Sequence, residues 1–259
     1  MIDLYGLARR ALARNSANSI PVPPGESYRI VLKRLHDLLA PATYLEIGTF
    51  SGETLKLSNC RSIAVDPEFR IKSDVIGRKP CCLMFQCSSD DFFRDHDLSE
   101  LFRAPVDFAF LDGLHLIEFL LRDFANVEAH CRPNSVIAIH DCVPLDLWMA
   151  ERDYTKECQR KSRYRGWWTG DVWKILPILS KYRPELTIVA LDAWPTGLAL
   201  VTHLDPKNTV LKDNHAVILA EYGAMSLADY GVKRHYDACS LVPTSSLKTL
   251  KAFQSCFGK

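Results

Sequence analysis

The sequence predicts an α/β fold: a Rossmann-like three-layer sandwich with a seven-stranded, mostly parallel sheet and an antiparallel edge strand. Short apolar segments alternate with helix-like segments along residues 42–204, which is typical of parallel strands covered by helices on both faces. Only residues 192–197 separate the last two apolar segments, and such a short connection predicts an antiparallel hairpin at the sheet edge. The strands are predicted over residues 44–47, 62–65, 82–85, 106–111, 135–139, 186–191 and 198–202.

Helices are predicted where apolar residues recur at helical spacing. One such stripe runs along residues 4–12, a second along 27–39 before Pro41, and a third along 116–130 between the fourth and fifth strands. The polar and basic segment 151–171 interrupts this alternation, so we interpret it as an insertion that covers the sheet ends.

We expect a single domain over residues 1–259, because this length is ordinary for one α/β domain. Within it, residues 1–40 form an N-terminal helical cap and residues 42–204 form the Rossmann-like core, which contains the lid-like insertion. Residues 205–259 form a C-terminal helical extension whose role the sequence leaves open.

The composition argues against several classes of protein. The 32 basic and 31 acidic side chains nearly balance, whereas general binders of nucleic acid or of membrane surfaces usually carry a basic excess. No apolar run approaches the length of a membrane span. The nine cysteines contain no C-x-x-C pair, so we expect reduced thiols and a cytoplasmic protein. The sequence does not decide between a monomer and a homo-oligomer.

A glycine turn follows the first predicted strand and carries the first functional signal. Gly48 permits a backbone turn that a β-carbon would obstruct, and Gly52 allows close approach where the next helix is predicted to begin. Exposed amides at such a turn hold negative or polar ligand groups. Asp66 ends the second strand, 20 residues after Glu46, where a carboxylate accepts hydrogen bonds from ribose hydroxyls. The turn therefore predicts a nucleoside-bearing ligand.

The residue pattern of the turn favours S-adenosylmethionine over a dinucleotide. Phosphate-binding dinucleotide sites usually read G-x-G-x-x-G, and this turn does not. Glu46 stands two residues before the first glycine instead, where it would repel a pyrophosphate and attract the cationic amino-bearing end of S-adenosylmethionine.

Four motifs resemble those of class I S-adenosylmethionine-dependent methyltransferases. Residues 44–52 resemble their motif I and residues 64–67 their motif II. Residues 106–115 and 136–141 are similar to a small-molecule O-methyltransferase-like subgroup with D-G-x-H and H-D strand ends. The resemblance implies that S-adenosylmethionine lies on the turn, with Asp66 on the ribose and residues 86–90 near the adenine. The implied cofactor-binding residues are Glu46, Gly48, Thr49, Phe50, Ser51, Gly52, Asp66, Ser88, Ser89 and Asp112.

A second cluster of polar side chains follows the fourth and fifth strands. Asp112 and Asp141 end these strands, and neighbouring strands lie about 5 Å apart, so the two carboxylates need a proton or a cation between them. In one interpretation they bind Mg or Mn, although the neighbouring His140 would favour a transition metal. In the other there is no metal, and His115 or His140 removes the proton from the nucleophile, with Asp112 as the third catalytic candidate.

Aromatic and basic residues alternate in the insertion. Trp167, Trp168 and the arginines before them are candidate contacts for an acidic or sugar-like substrate. The arginines would hold its acidic or polar groups, and the indole rings would stack on its apolar face. Trp173 belongs to the stripe of the following helix, so we expect it in the core, with Asp171 as the cap of that helix.

The sequence therefore predicts methyl transfer from S-adenosylmethionine to an oxygen, with nitrogen as the second choice, of a small molecule or sugar-containing metabolite. No membrane or nucleic-acid partner is expected. Two alternatives stay open: a nicotinamide-dependent oxidoreductase on a Rossmann fold, and a non-catalytic module that binds S-adenosylmethionine without turnover.

Overall fold

The computed structural model describes residue 20 and residues 22–257. In this part of the chain seven strands form one sheet in the order β3-β2-β1-β4-β5-β7-β6. Strands β1 to β5 are parallel, and β7 runs antiparallel to both β5 and β6. The strands are β1 Thr43–Ile47, β2 Arg61–Val65, β3 Cys82–Phe85, β4 Val106–Leu111, β5 Cys131–His140, β6 Thr187–Leu191 and β7 Leu198–Thr202.

Eleven α-helices surround this sheet within the described residues. They are α1 Tyr28–Leu39, α2 Ser89–Asp95, α3 Leu98–Phe102, α4 Ile117–Glu128, α5 Lys156–Lys161, α6 Ile175–Tyr182, α7 Val210–Asp213, α8 His215–Tyr222, α9 Leu227–Tyr230, α10 Val232–Cys239 and α11 Leu250–Phe257.

The predicted fold class and all seven strands are confirmed. The observed bounds differ from the predicted ones by one residue or less, except that β5 already begins at Cys131. The predicted hairpin lies at the sheet edge, and its reversed strand β7 is placed between β5 and β6. The helix predicted over residues 4–12 lies outside the described residues.

Each face of the sheet has its own apolar core. One core packs α4 and α6 onto the sheet through side chains such as Phe124 and Leu179. The other packs α1 and α11 onto the opposite face through Leu32, Leu35 and Phe253. This gives the three layers of the sandwich, with the C-terminal extension contributing a helix to the second face.

The helix predicted to begin at Gly52 is absent from the described chain. The turn leads only into a 3₁₀ helix at Leu55–Leu57, because β2 already begins at Arg61 and residues 53–60 are too few for several helical turns. Leu55 instead joins the core that α1 and α11 cover. The prediction of a helix here was wrong, although the glycine turn itself is present.

Buried polar contacts hold the insertion against α4. Trp173 is buried, as predicted. Asp171 does not cap the helix after it; its Oδ1 accepts a hydrogen bond from the Ile117 amide at 2.8 Å and so caps α4. Its Oδ2 pairs with Arg152 at 2.6 Å and with buried Lys174 at 2.7 Å. These contacts join residues 151–171 to the start of α4, the helix that follows β4.

In the described part of the chain, none of the helices combines the length and apolarity that crossing a membrane requires.

Candidate active site

The glycine turn packs directly against the end of β4. Gly48 and Gly52 have φ of +88° and +78°, a region that L-residues with side chains rarely adopt. A β-carbon at Gly48 would lie 1.9 Å from the Asp112 carbonyl oxygen, so only glycine allows this approach. The backbone of the turn therefore lies against the residue that begins the second cluster.

Asp66 fixes the conformation of the turn. Its Oδ2 accepts a hydrogen bond from the Phe50 amide and its Oδ1 one from the Glu68 amide, both at 2.7 Å. A carboxylate retains further lone pairs after two such bonds. Gly48, Phe50 and Ser51 are at least partly exposed on the turn, whereas Thr49 and Gly52 are buried.

Glu46 lies beneath the turn and is fully buried. Its Oε2 accepts a hydrogen bond from the Tyr44 hydroxyl at 2.5 Å, and its Oε1 accepts one from the Thr54 hydroxyl at 3.0 Å. Burial raises the pKa of Glu46 to about 7, although these two hydroxyl donors oppose part of the rise. The carboxyl group thus supports the turn from below.

This buried carboxyl group makes a testable contribution to stability. Because the folded-state pKa of Glu46 is raised from 4.5 to about 7, the native state binds more protons than the unfolded state between these values. The free energy of unfolding should therefore fall as pH rises through this window, by an amount on the order of 3 kcal/mol. We expect Glu46→Gln to remove this fall.

Urea unfolding between pH 4.5 and pH 8 measures this effect. Glu68→Gln, in which the substituted side chain is exposed, serves as the control and should keep the wild-type dependence. A Glu46→Gln variant whose stability still falls as steeply as that of the wild type would contradict the assignment.

The structure places the two serines predicted near the adenine at the start of α2. Ser88 is the N-cap of this helix and accepts a hydrogen bond from the Asp91 amide at 3.1 Å. The bidentate ion pair between Asp90 and Arg122, at 2.8 and 2.7 Å, joins this end of α2 to α4. The side chain of Ser88 is thus engaged in capping, while its backbone follows β3 at the same sheet edge as the glycine turn.

The second cluster brings all four predicted side chains together. His115 Nε2 lies 3.2 Å from Asp141 Oδ2 and 3.6 Å from Asp112 Oδ1. His115 Nδ1 lies 2.7 Å from the Trp168 carbonyl oxygen, which can only accept, so Nδ1 carries a proton. Neutral His115 would then direct the lone pair of Nε2 at two carboxylates, and this arrangement requires a positive charge between them.

His140 is held on the other side of the same carboxylates. Its Nδ1 lies 3.2 Å from Asp112 Oδ1 and 3.4 Å from Asp141 Oδ1. The Thr196 hydroxyl donates its single hydrogen to Asp141 Oδ1, so the 3.4 Å contact between Thr196 Oγ1 and His140 Nε2 is a hydrogen bond only when Nε2 is protonated. The site thereby accommodates a proton on His140.

The charges of the cluster stabilise one another. Burial disfavours the charged imidazoles, but the neighbouring aspartates raise the pKa of His115 to about 9 and the pKa of His140 well above its ordinary value. Burial likewise opposes ionisation of Asp141, yet the two histidines lower its pKa to about 2. Asp141 also has a φ of +61°, an uncommon backbone conformation for a residue with a side chain.

Three of these residues have the arrangement of a metal site. One ligand atom each from Asp112, His115 and Asp141 lies within 4.8 Å of the others. Adjacent ligands of an octahedral ion with bonds of about 2.1 Å lie roughly 3 Å apart, close to the two His115 distances above. His115 Nδ1 is oriented by a carbonyl oxygen, as is usual for histidine ligands. The donor set therefore fits a divalent ion, with His115 added to the two predicted aspartates.

A cavity of about 340 Å³ borders the cluster. Its walls come from four segments: the N-terminal segment (residues 25–29), the end of β5, the insertion and the β6–β7 connection (residues 192–197). Sequence reasoning missed Tyr28, Trp194 and Thr196, because nothing in their local spacing links them to residues far away in the chain. The lining residues include Tyr28, His140, Asp141, Trp167, Trp168, Trp194 and Thr196.

Residues 45–142 match the family model described as a methyltransferase domain. These residues thus form a methyltransferase domain. The matched range contains the glycine turn, Asp66 and the whole second cluster, and it favours methyl transfer over the nicotinamide-dependent oxidoreductase. A comparison with curated protein sequences gives no match.

Several solved methyltransferase structures are similar to this chain. The O-methyltransferase TomG from Streptomyces achromogenes, solved with S-adenosylmethionine, is 15% identical, with 68% of this chain and 78% of that chain covered and a TM-score of 0.44. An O-methyltransferase from Bacillus cereus, in complex with S-adenosylhomocysteine, is 16% identical, with 76% and 88% covered and a TM-score of 0.43. The Podospora anserina methyltransferase PaMTH1, bound to S-adenosylhomocysteine, is 11% identical, with 68% and 77% covered and a TM-score of 0.46.

Proposed function

We propose that this methyltransferase transfers the methyl group of S-adenosylmethionine to a hydroxyl oxygen of a small, ring-bearing acceptor such as a sugar or a phenol. The observation that carries the proposal is the position of the Asp112–His115–Asp141 cluster. It packs against the glycine turn through Asp112 on one side and borders the cavity through Asp141 on the other. Groups that can activate a hydroxyl thus lie between a cofactor site and an acceptor site.

The proposed cofactor site consists of the partly exposed backbone of the turn, Asp66 and the loop that follows β4. In this arrangement Gly48 and Ser51 offer backbone groups to the methionine part of the cofactor, and Asp66 accepts from the ribose hydroxyls. Ser88 and Ser89 contribute the backbone beside the adenine. Glu46 acts from beneath, since its carboxyl group is buried under the turn.

In methyl transfer the main task of the protein is to position the reactants. The methyl carbon is already activated by the sulfonium, so holding the acceptor oxygen, methyl and sulfur in line supplies much of the acceleration. A hydroxyl must also lose its proton on attack. His140 is the proposed proton acceptor in its neutral form, which a cation bound to Asp112 and Asp141 would favour by neutralising the charge of these aspartates. Asp112 and Thr196 lie 3.2 and 3.4 Å from its two nitrogens and can bind the protonated form that results.

The proposal includes a divalent cation held by Asp112, His115 and Asp141. Such an ion would orient the acceptor hydroxyl and lower its pKa. The imidazole ligand favours Mn over Mg, because magnesium prefers oxygen ligands. The ion would also supply the positive charge that His115 Nε2 and the two carboxylates require.

Removal of metal should therefore slow methyl transfer. We expect protein treated with EDTA and then desalted to lose at least 10-fold in turnover, and Mn to restore the rate more fully than Mg. Turnover should be followed at a fixed, saturating concentration of S-adenosylmethionine. Full activity after EDTA, with no response to added ions, would instead assign the positive charge to a proton on His115.

The cavity walls favour a ring as the acceptor. Trp168 packs against His115 and Tyr154 with ring centroids 5.4 and 5.8 Å apart, and Trp167 packs against Trp194 at 5.6 Å. The Trp168 Nε1 also donates to the Glu151 carbonyl oxygen at 2.7 Å. Indoles held this firmly present fixed flat faces, on which sugar and phenol rings stack.

Methyl transfer from radiolabelled S-adenosylmethionine to three acceptors tests the function. We expect label in methyl glucopyranoside or catechol, which offer ring hydroxyls, and none in benzylamine, which offers only an amine. Label in benzylamine alone would overturn the choice of oxygen. No label in any acceptor, from protein that binds S-adenosylhomocysteine, would favour the non-catalytic binding module.

A further inference from the structure

The N-terminal segment contributes an aromatic side chain to the cluster, although it lies outside the matched methyltransferase range. The Tyr28 ring stacks on the His140 ring with centroids 4.0 Å apart and an interplanar angle of 29°. Phe110 lies behind this pair, 6.2 Å from Tyr28 and 6.3 Å from His140. Tyr28 therefore covers one face of an imidazole whose two nitrogens already face Asp112 and Thr196.

Backbone hydrogen bonds to the β6–β7 connection hold Tyr28 in place. The Tyr28 amide donates to the Trp194 carbonyl oxygen at 3.0 Å, and the Trp194 amide donates to the Glu26 carbonyl oxygen at 2.9 Å. The Gly25 amide donates to the Asp192 carbonyl oxygen at 2.8 Å. The N-terminal segment is thus paired with the connection that carries Trp194 and Thr196 into the cavity.

The C-terminal extension secures the same junction. The Thr244 amide donates to Asp192 Oδ1 at 2.7 Å, and the Thr244 hydroxyl accepts from the Glu26 amide at 2.9 Å. Glu26 also pairs with Arg34 on α1 at 2.8 Å. Three segments that are distant in sequence therefore meet beside the cavity and fix the position of Tyr28.

The Tyr28 hydroxyl is placed to act separately from its ring. It accepts a hydrogen bond from Arg29 Nε at 3.3 Å, and burial raises the pKa of Tyr28, so the phenol keeps its own proton. Tyr28 lines the cavity, and none of the described residues accepts a hydrogen bond from its hydroxyl. The ring and the hydroxyl thus offer two different contacts.

We infer that Tyr28 is a positioning residue for methyl transfer: its ring orients the His140 imidazole, and its hydroxyl donates a hydrogen bond to the acceptor. The inference rests on the proposed function for the role of the hydroxyl, whereas the orientation of His140 can be tested without turnover.

The orientation is tested by NMR of the protein labelled with ¹⁵N in its histidine imidazoles, with the His140 signals assigned from His140→Gln. We expect Tyr28→Phe to keep the wild-type His140 signals, because the ring is retained. Tyr28→Leu should shift or broaden these signals selectively, while those of the remote His203 stay in place. Unchanged His140 signals in folded Tyr28→Leu would overturn the positioning role.

The hydroxyl is tested by kinetics with whichever of methyl glucopyranoside or catechol is methylated faster. We expect Tyr28→Phe to raise the KM for the acceptor about 3- to 10-fold with kcat within about 2-fold, as loss of one hydrogen bond predicts. Tyr182→Phe, which removes a hydroxyl bound to Glu221 outside the cavity, is the matched control and should change neither constant. An unchanged KM in Tyr28→Phe would overturn the acceptor contact.

These two measurements separate the inference from the proposed function. Absence of methylation with every acceptor would refute the proposed function and, with it, the role of the hydroxyl, whereas the NMR result would still decide the role of the ring. Should Tyr28→Leu fail to fold, Tyr28→Met replaces it in the NMR measurement, and retained His140 signals in that variant would equally overturn the positioning role.

Discussion

Gly48→Ala is expected to weaken binding of S-adenosylhomocysteine by at least 100-fold and to destabilise the protein by about 3 kcal/mol. The added methyl group would lie 1.9 Å from the Asp112 carbonyl oxygen and 2.7 Å from the Gly113 amide nitrogen. Both are backbone atoms at the end of β4, which cannot move without displacing the cluster. The φ of +88° adds strain for any residue with a side chain.

The matched control for this variant is Gly77→Ala. Gly77 also has a positive φ, +49°, but a β-carbon there would meet no atom within 4 Å. This variant carries the intrinsic backbone strain without the collision and should bind S-adenosylhomocysteine like the wild type. Calorimetric titration and urea unfolding of both variants measure the difference. A Gly48→Ala variant that binds within threefold of the wild type would contradict the placement of the cofactor on this turn.

Asp141→Asn is expected to lower kcat by about 100- to 10,000-fold while S-adenosylhomocysteine binds within a few-fold of the wild type. The substitution keeps the shape of the side chain but removes the negative charge 3.2 Å from His115 Nε2. It therefore loses both the partner of the histidines and one of the three proposed metal ligands. Because Asp141 lies on the cavity side of the cluster, the cofactor site should be affected much less.

Asp37→Asn is the control for loss of one carboxylate. Asp37 is exposed on α1, where it pairs with Lys33, and its substitution should leave kcat unchanged. The kinetics should be measured at saturating S-adenosylmethionine with and without Mn, because loss of a metal ligand predicts a weaker response to the ion. If Asp141→Asn retained full turnover, the cluster would have no part in the chemistry.

The sheet was predictable from the sequence because its strands are buried on both faces. Residues 106–111 and 198–202 form short apolar runs whose ends are marked by polar or glycine residues, and both strands were predicted to the residue. The carboxyl ends of such strands also identify the site, since Asp112 and Asp141 can only meet if β4 and β5 are neighbours. Local pattern and strand adjacency were sufficient for these parts.

The missing helix after the glycine turn was not predictable in the same way. The turn residues are compatible with a helix start, but the distance to β2 leaves no room for one. The face that this helix would have covered is filled by α11, almost 200 residues later in the chain, through Phe253 and Phe257. Such a replacement depends on tertiary packing, which local propensity does not report.

The residues that line the cavity were also not predictable from the sequence. Tyr28 and Trp194 approach the cluster only because the N-terminal segment pairs with the β6–β7 connection, and no periodicity encodes that pairing. Asp171 is a second example. Its position in the sequence predicted a cap for the next helix, whereas in the structure it caps α4, which lies earlier in the chain. Contacts made by irregular segments thus determine the acceptor site, while the cofactor turn is set by local chemistry.

Calorimetric titration of S-adenosylhomocysteine into the 259-residue protein in the presence of Mn tests the central claim most directly. We expect one site with micromolar affinity, which Gly48→Ala abolishes and Asp141→Asn retains, and no heat when NADH replaces S-adenosylhomocysteine. Absence of S-adenosylhomocysteine binding, or saturable binding of NADH in its place, would contradict the assignment of the glycine turn and the neighbouring cluster to methyl transfer.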